Sequence, residues 1–170
     1  MKKQVSLLIV LGLFLFATPS KAQNYKSAVG LRLGYPLSVT YKQFVNESSA
    51  FEVYAGTRGF KGAANTGYRW FTVSGAYQIH KPIESVAGLD YYFGAGASIY
   101  FWSFEFDNNE SSTSFGLQGY GGLSYTFSDT PINISVDWVP TFFINGYGSG
   151  FGAGYGSLAV RYVLSGGSNN

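Results

Sequence analysis

Residues that could do chemistry are few in this sequence, and they do not form a catalytic pattern. The chain has one histidine, His80, and no cysteine, so thiolate metal sites, cysteine nucleophiles and disulfides are excluded. His80 lies in segment 80–90, which predicts a connection between strands, where a lone histidine is typically solvated. No serine and carboxylate accompany it in an arrangement typical of acyl transfer. No catalytic residue is therefore predicted.

Two other stretches match ligand-binding motifs only in part. Segment 107–111 begins like a calcium loop, but Ser112 stands where that loop needs glycine and Gln118 where it needs the closing glutamate. The alternating glycines from Gly146 to Gly156 lack the Lys-Ser/Thr ending and the strand-to-helix context of a phosphate-binding loop. Both stretches are predicted to be surface loops. The sequence thus predicts no metal site and no cofactor.

Six charged residues share one feature: in an alternating strand pattern, each falls on the face opposite the aliphatic and aromatic residues. They are Arg32, Lys42, Glu52, Arg58, Asp137 and Arg161. If this face is buried, the charges must pair, because an uncompensated buried charge is costly. We expect Asp137 to neutralise Arg32 or Arg161, and Glu52 to neutralise Lys42 or Arg58. A structural polar cluster is the prediction, and a proton- or ion-handling role is the alternative.

The composition indicates which elements position these charges. Only 12% of the residues are charged, where an ordinary soluble domain has about 25%. Aromatic residues make up 19% and glycines number 23, which favours pleated strands over helices. Period-two alternation predicts eight strands at 28–35, 37–45, 50–58, 69–79, 91–102, 115–127, 132–144 and 157–164.

The face on which the charges lie predicts how these strands close. A soluble lipocalin-like barrel points apolar residues inward and covers its outside with charge. Here the wider apolar face carries no charge except Arg69, which lies at a strand end and can reach the aqueous interface, as in the wall of a membrane barrel. The prediction is an all-β, eight-stranded antiparallel transmembrane β-barrel, an up-and-down meander with a lipid-facing apolar exterior and a side-chain-filled polar interior. A barrel of this size is too narrow to conduct.

Aromatic side chains on the apolar face are predicted to form girdles at the two membrane interfaces. Ordinary packing in a sandwich core is the alternative. The girdle residues are Tyr35, Tyr41, Tyr77, Tyr91, Trp138 and Tyr162.

Residues 1–22 are predicted to be a cleaved secretory signal peptide. Lys2 and Lys3 precede the apolar segment 5–17, and Ala22 ends a small-residue cleavage site. The alternative, a membrane-spanning helix, needs about 20 apolar residues. Residues 23–170 then form a single barrel domain with a short polar tail at 165–170. Cleavage would remove three of the 11 basic residues and none of the nine acidic ones, and the resulting net charge near −1 argues against nucleic-acid binding.

The chain resembles small outer-membrane β-barrel proteins of the OmpA/OmpX-like superfamily, in particular short single-domain barrels of the Bacteroidetes type. The segments that carry the resemblance are 30–36 (GLRLGYP), 40–44 (TYKQF), 88–96 (GLDYYFGAG), 131–140 (PINISVDWVP) and 160–162 (VRY). The resemblance implies short periplasmic turns and longer outer loops. The chain departs from it at the last strand, which ends on Leu164 instead of an aromatic residue, at the very short first outer loop near Pro36, and at the long 80–90 connection.

The predicted function is that of an integral protein of the bacterial outer membrane, exported through its signal peptide. Its predicted partners are outer-membrane lipids and the outer-membrane assembly machinery, and it is predicted to be a monomer. We expect a non-enzymatic role in envelope integrity or in surface binding through the outer loops, with an extracellular ligand left open. The alternatives are a lipid A-modifying barrel enzyme that transfers or removes acyl chains, and a secreted, soluble lipocalin-like binder of small molecules.

Overall fold

The computed structural model describes residues 25–61, 67–104, 111–146 and 150–166. The predicted signal peptide, residues 107–110 of the partial calcium-loop match and residues 167–170 of the polar tail lie outside these residues. Ten strands are present: β1 (Tyr25–Tyr35), β2 (Leu37–Phe44), β3 (Ser49–Lys61), β4 (Gly67–Pro82), β5 (Leu89–Phe104), β6 (Ser111–Thr126), β7 (Ile132–Trp138), β8 (Thr141–Phe143), β9 (Gly150–Gly152) and β10 (Gly156–Gly166). In the described part of the chain, no helix is long and apolar enough to cross a membrane.

The strands close into a barrel because the first and the last of them pair. β1 and β10 are antiparallel, with Tyr35 opposite Gly156 and Leu31 opposite Val160. Neighbouring strands from β1 to β7 pair in chain order, and β10 pairs with β7. β7 with β8 forms the seventh wall strand, and β9 with β10 the eighth. The predicted eight-stranded antiparallel barrel is confirmed.

The predicted strand at 132–144 is interrupted. β6 pairs with β7 as far as Gly121 and Trp138, and resumes with β8 at Gln118 and Thr141. The break falls at Pro140, which lacks the N–H that a continuous ladder would need. The sixth wall strand therefore remains unbroken while the seventh bends.

Strands β3 to β6 are longer than predicted, so the wall has an uneven height. β4, β5 and β6 have 16 residues each, more than the about 9 to 11 that cross a bilayer. β2 has only eight. Parts of the segments between the predicted strands, 59–68 and 103–114, are therefore strand. We call the end at which β1 meets β2, near Pro36, the loop end, and the opposite end, which carries Tyr25, the turn end.

His80 also belongs to a strand, which corrects the prediction of a solvated turn residue. His80 pairs with Tyr92, and Pro82 with Asp90, so the connection between β4 and β5 shortens to residues 83–88. Because inward and outward positions alternate along β4, His80 points into the barrel, where it is buried.

Candidate functional site

The wall of the barrel is apolar outside and polar inside. Leu31 and Val136 are 51% and 52% exposed on the outer face. Their neighbours in sequence, Arg32 and Asp137, are buried inside. In β10, the outward Leu158, Val160 and Tyr162 alternate in the same way with the buried Ala159 and Arg161. This arrangement is the opposite of that in a water-soluble barrel.

Glu52 is the centre of the interior charge cluster, which we define as Arg32, Lys42, Glu52, Asp137 and Arg161. Its side chain has no exposed surface. Arg32 Nη1 donates to Oε1 over 3.0 Å, and Arg161 Nη2 donates to the same oxygen over 2.5 Å. Lys42 Nζ lies 3.4 Å from Oε2. One carboxylate from β3 therefore contacts cations from β1, β2 and β10.

Two neutral side chains complete the shell around Glu52. Thr40 Oγ1 donates to Oε1 over 2.6 Å, and Gln78 Nε2 donates to Oε2 over 2.8 Å. Sequence reasoning did not assign either residue to the site. Their inward position in the strand alternation is a signal that could have found them, although alternation does not reveal which inward residues meet.

Asp137 pairs with Arg32 but not with Arg161. Arg32 Nη2 lies 2.9 Å from the Asp137 carboxylate. The same carboxylate accepts hydrogen bonds from the hydroxyls of Tyr92 (2.8 Å) and Ser157 (2.9 Å). Arg161 bonds Ser135 and Asn133 in addition to Glu52. Asp137 therefore pairs with the arginine of β1 and not with the arginine of β10.

The cluster holds three cations and two carboxylates, and aromatic rings lie beside two of the cations. The Arg32 guanidinium lies 4.6 Å from the centre of the Tyr54 ring, and Lys42 Nζ lies 4.6 Å from the centre of the Tyr92 ring. Such contacts stabilise a desolvated cation through the negative face of the ring. The interior therefore balances its excess positive charge partly with aromatic side chains.

His80 extends this cluster towards the turn end. Its Nε2 lies 3.5 Å from Lys42 Nζ, and its ring stacks on Tyr92 with centroids 4.8 Å apart. Asp90 Oδ2 is 3.9 Å from His80 Nδ1. No group of three metal-ligating side chains occurs in the described residues. This arrangement gives His80 a packing role inside the barrel.

Aromatic layers lie on both sides of the charge cluster. At the turn end, Tyr25 and Phe44 make an edge contact with centroids 5.0 Å apart. At the loop end, a larger layer surrounds Trp70, which is 1% exposed. Its other members are Tyr35, Tyr100, Trp102, Phe143 and Tyr155. Aromatic contacts therefore lie on the loop side and on the turn side of the charge cluster.

The comparisons with known proteins bear on the fold. No protein-family model matches this sequence, and the comparison with curated proteins found no match. Among solved structures, the crystal structure of Neisserial surface protein A is similar, with a TM-score of 0.63 and 16% identity over 81% of this chain and 93% of that chain. The fold is that of a small outer-membrane β-barrel. At this identity the likeness shows the fold alone.

Five of the six predicted girdle residues lie on the outer face of the barrel. Tyr41, Tyr77 and Tyr91 are about two-fifths exposed, and Trp138 and Tyr162 more than half. Trp138 also donates its indole N–H to the Ala153 carbonyl over 2.7 Å. These rings face outward, and their place at the membrane interfaces stays a prediction.

Tyr35 and Arg58 differ from their predicted positions, and both lie at the loop end. Tyr35 packs on Trp70 with centroids 5.4 Å apart, so it belongs to the interior aromatic layer and not to a girdle. Arg58 is exposed, and its guanidinium lies 4.9 Å from the centre of the Tyr35 ring. β1 and β2 end at Pro36, so Thr57 is the last residue of β3 that pairs with β2, and Arg58 pairs on one side alone, with Trp70 of β4. Arg58 is therefore not a partner of Glu52.

Proposed function

We propose that this chain is an integral outer-membrane protein whose apolar outer face contacts lipid. The observation that carries the proposal is the inverted wall: large hydrophobic side chains are exposed around the barrel, while Glu52 and the cations that contact it are buried. In water such a surface would drive association, whereas a bilayer matches it. Export through a signal peptide and insertion by the outer-membrane assembly machinery belong to the same proposal.

The interior argues against the soluble lipocalin-like alternative. A carrier of small apolar molecules needs an apolar lumen. The centre of this barrel instead holds Arg32, Glu52 and Arg161 in direct contact. An apolar ligand would have to displace these ion pairs, and each separated charge would then be costly.

We further propose a non-enzymatic role in envelope integrity or in binding at the loop end. The single histidine lies inside the barrel and stacks on Tyr92, so it cannot reach an acyl chain in the surrounding lipid. Strands β3 to β6 extend beyond the span of a bilayer, which gives the loop end a surface for contact outside the membrane. A Bacteroidetes-type origin, a monomeric state and an extracellular ligand remain predictions.

Two experiments test this proposal. Membrane fractionation should recover the mature protein with the outer membrane, and the unboiled protein refolded in detergent should migrate differently from a boiled sample on a gel. Recovery in the soluble periplasm would overturn the membrane assignment. The non-enzymatic role predicts an unchanged lipid acyl pattern in a deletion strain, so an altered pattern that the restored gene reverses would show enzymatic activity.

A further inference from the structure

A groove of about 630 Å³ crosses the outer face of the barrel from Val53 on β3, over β4, β5 and β6, to Ile144 just after β8. Its volume lies within the range of about 300–1,000 Å³ that is usual for ligand sites. Gly75 and Ala97 form its floor, and the side chains of Val73, Ile99, Phe115 and Leu117 form its walls. A second groove, of about 300 Å³, adjoins it and shares Val53 and Val73. Both are lined almost wholly by apolar groups, so they suit a hydrocarbon chain.

A cation lies above this groove on the same strand. Arg69 is exposed on β4, and the residues directly opposite it in the neighbouring strands are Gly59 and Ser103, neither of which is charged. Between Arg69 and the groove, the Phe71 ring stacks on Phe101 with centroids 6.3 Å apart. The outer face therefore presents, from the loop end inward, a cation, an aromatic pair and an apolar groove.

The spacing of these features matches one leaflet of a bilayer. Six residues separate Arg69 from Gly75, which is about 20 Å along a strand. A strand tilt of about 40° reduces this to roughly 15 Å of depth. The hydrocarbon core is about 30 Å thick, so Gly75 reaches the bilayer centre when Arg69 lies among the headgroups.

We propose that this face binds one anionic lipid, whose phosphate contacts Arg69 and whose acyl chain occupies the groove above Gly75 and Ala97. The inference depends on the proposed membrane insertion. It goes beyond general contact with lipid because it assigns a discrete site and a headgroup charge. Charge complementarity selects the headgroup, and the concave apolar floor accepts the chain.

A second copy of the chain fits this face less well. In a membrane, a symmetric dimer has its two-fold axis along the bilayer normal, so the same patch on each copy meets at the same height. Two concave floors would leave a void between them, and two Arg69 side chains would approach each other at the interface, which their like charge opposes. Both effects oppose self-association through the groove.

Native mass spectrometry of the refolded protein in mixed micelles tests the proposal. The micelles contain equal amounts of phosphatidylglycerol and phosphatidylcholine with identical acyl chains, and the measured quantity is the ratio of the two lipids retained. We expect the wild type to retain the anionic lipid about fivefold more, the effect of one basic residue at a lipid surface. Arg69→Gln should bring the ratio near one, while Arg58→Gln, the same change at an exposed arginine of the loop end that lies over Tyr35 and not above the groove, should leave it unchanged.

A groove variant tests the acyl-chain part independently. A Cβ at Gly75 would meet no atom within 4 Å, and a leucine there faces lipid, so Gly75→Leu should fold normally. We expect it to retain less of both lipids. Equal retention by the wild type, an unchanged preference in Arg69→Gln, or a groove-dependent dimer would each overturn the proposal. Failure of the wild type to show heat-modifiable migration would instead overturn the proposed membrane function.

Discussion

Glu52→Gln is the substitution that tests the interior charge cluster most directly. It keeps the size of the side chain and removes its charge. Arg32 would retain the Asp137 carboxylate at 2.9 Å, but Arg161 and Lys42 would lose the carboxylate that each contacts. We expect the barrel to be strongly destabilised, because two cations with fully buried side chains would remain without a counterion.

The size of the destabilisation depends on how Lys42 and Arg161 each respond to the loss of the carboxylate. Removing one partner of a buried ion pair typically costs about 3–5 kcal/mol. A desolvated lysine can release its proton and so limit its share of the cost, whereas a guanidinium stays charged. Arg161 keeps its neutral partners Ser135 and Asn133. We therefore expect Glu52→Gln to lower the free energy of unfolding by about 3–5 kcal/mol, mainly through Arg161.

Urea unfolding of the refolded protein in lipid vesicles, followed by tryptophan fluorescence, measures this change. The matched control is Glu47→Gln, the same chemical change at an exposed turn, which should stay within about 0.5 kcal/mol of the wild type. Lys42→Met should cost less than Glu52→Gln, because it leaves the carboxylate with two arginines. If Glu52→Gln unfolds within about 1 kcal/mol of the wild type, the buried ion pairs are not held as described and the reasoning is refuted.

Three further predictions concern the same wall. Val160→Arg should reduce the inserted fraction in a vesicle folding assay, since a cation facing lipid near the bilayer centre costs about 2–4 kcal/mol, while Val160→Leu should insert normally. Asp137→Asn should lower the free energy of unfolding in urea by about 1–3 kcal/mol, less than Glu52→Gln, because Arg32 keeps Glu52. Arg161→Ala should still assemble, since Glu52 retains two cations, but should unfold at a lower temperature in the gel-shift assay; unchanged heat resistance would contradict a stabilising role for this arginine.

Alternation predicted the closed wall and the face of nearly every residue. A strand has a period of two, and a one-residue slip would reverse both faces, so Val160 and Arg161 cannot exchange positions without exposing a charge to lipid. The structure has them on the predicted sides: Val160 is 39% exposed and Arg161 is 1% exposed. Alternation leaves open which of the two faces is buried. The charged residues on one face indicated that this face is the interior.

Ion-pair partners were less predictable, because they depend on register and on reach across the lumen. Arg161 and Asp137 lie on paired strands, which suggested a contact. Arg161 is, however, opposite Asn133, four residues from Asp137 and about 13 Å away along the strand. Its guanidinium instead reaches Glu52 on β3. Sequence order gives neighbouring strands, but not the heights at which their side chains meet.

Strand ends were the other source of error. The turn signals around His80 and the polar residues near Ser112 suggested loops, yet ladder pairing continues through both. At Pro36 the wall ends earlier than on the other side of the barrel, and this unevenness turns Tyr35 inward and leaves Arg58 exposed. Local composition does not show how far a neighbouring strand extends. The positions of His80, Tyr35 and Arg58 could therefore be determined only from the structure.

The position of Glu52 suggests why a barrel of this size keeps buried charges. β1 and β10 are distant in sequence and must pair to close the wall, and each carries an arginine that contacts this one carboxylate on β3. A shift of β10 by one residue would turn Arg161 to lipid and leave Glu52 with fewer cations, so the ion pairs favour a single register of the closing strands. Apolar side chains of similar size could fill the same space, but they would penalise such a shift far less. We therefore expect the buried charges to act mainly on the specificity of closure, and not on ion passage through a barrel that side chains fill.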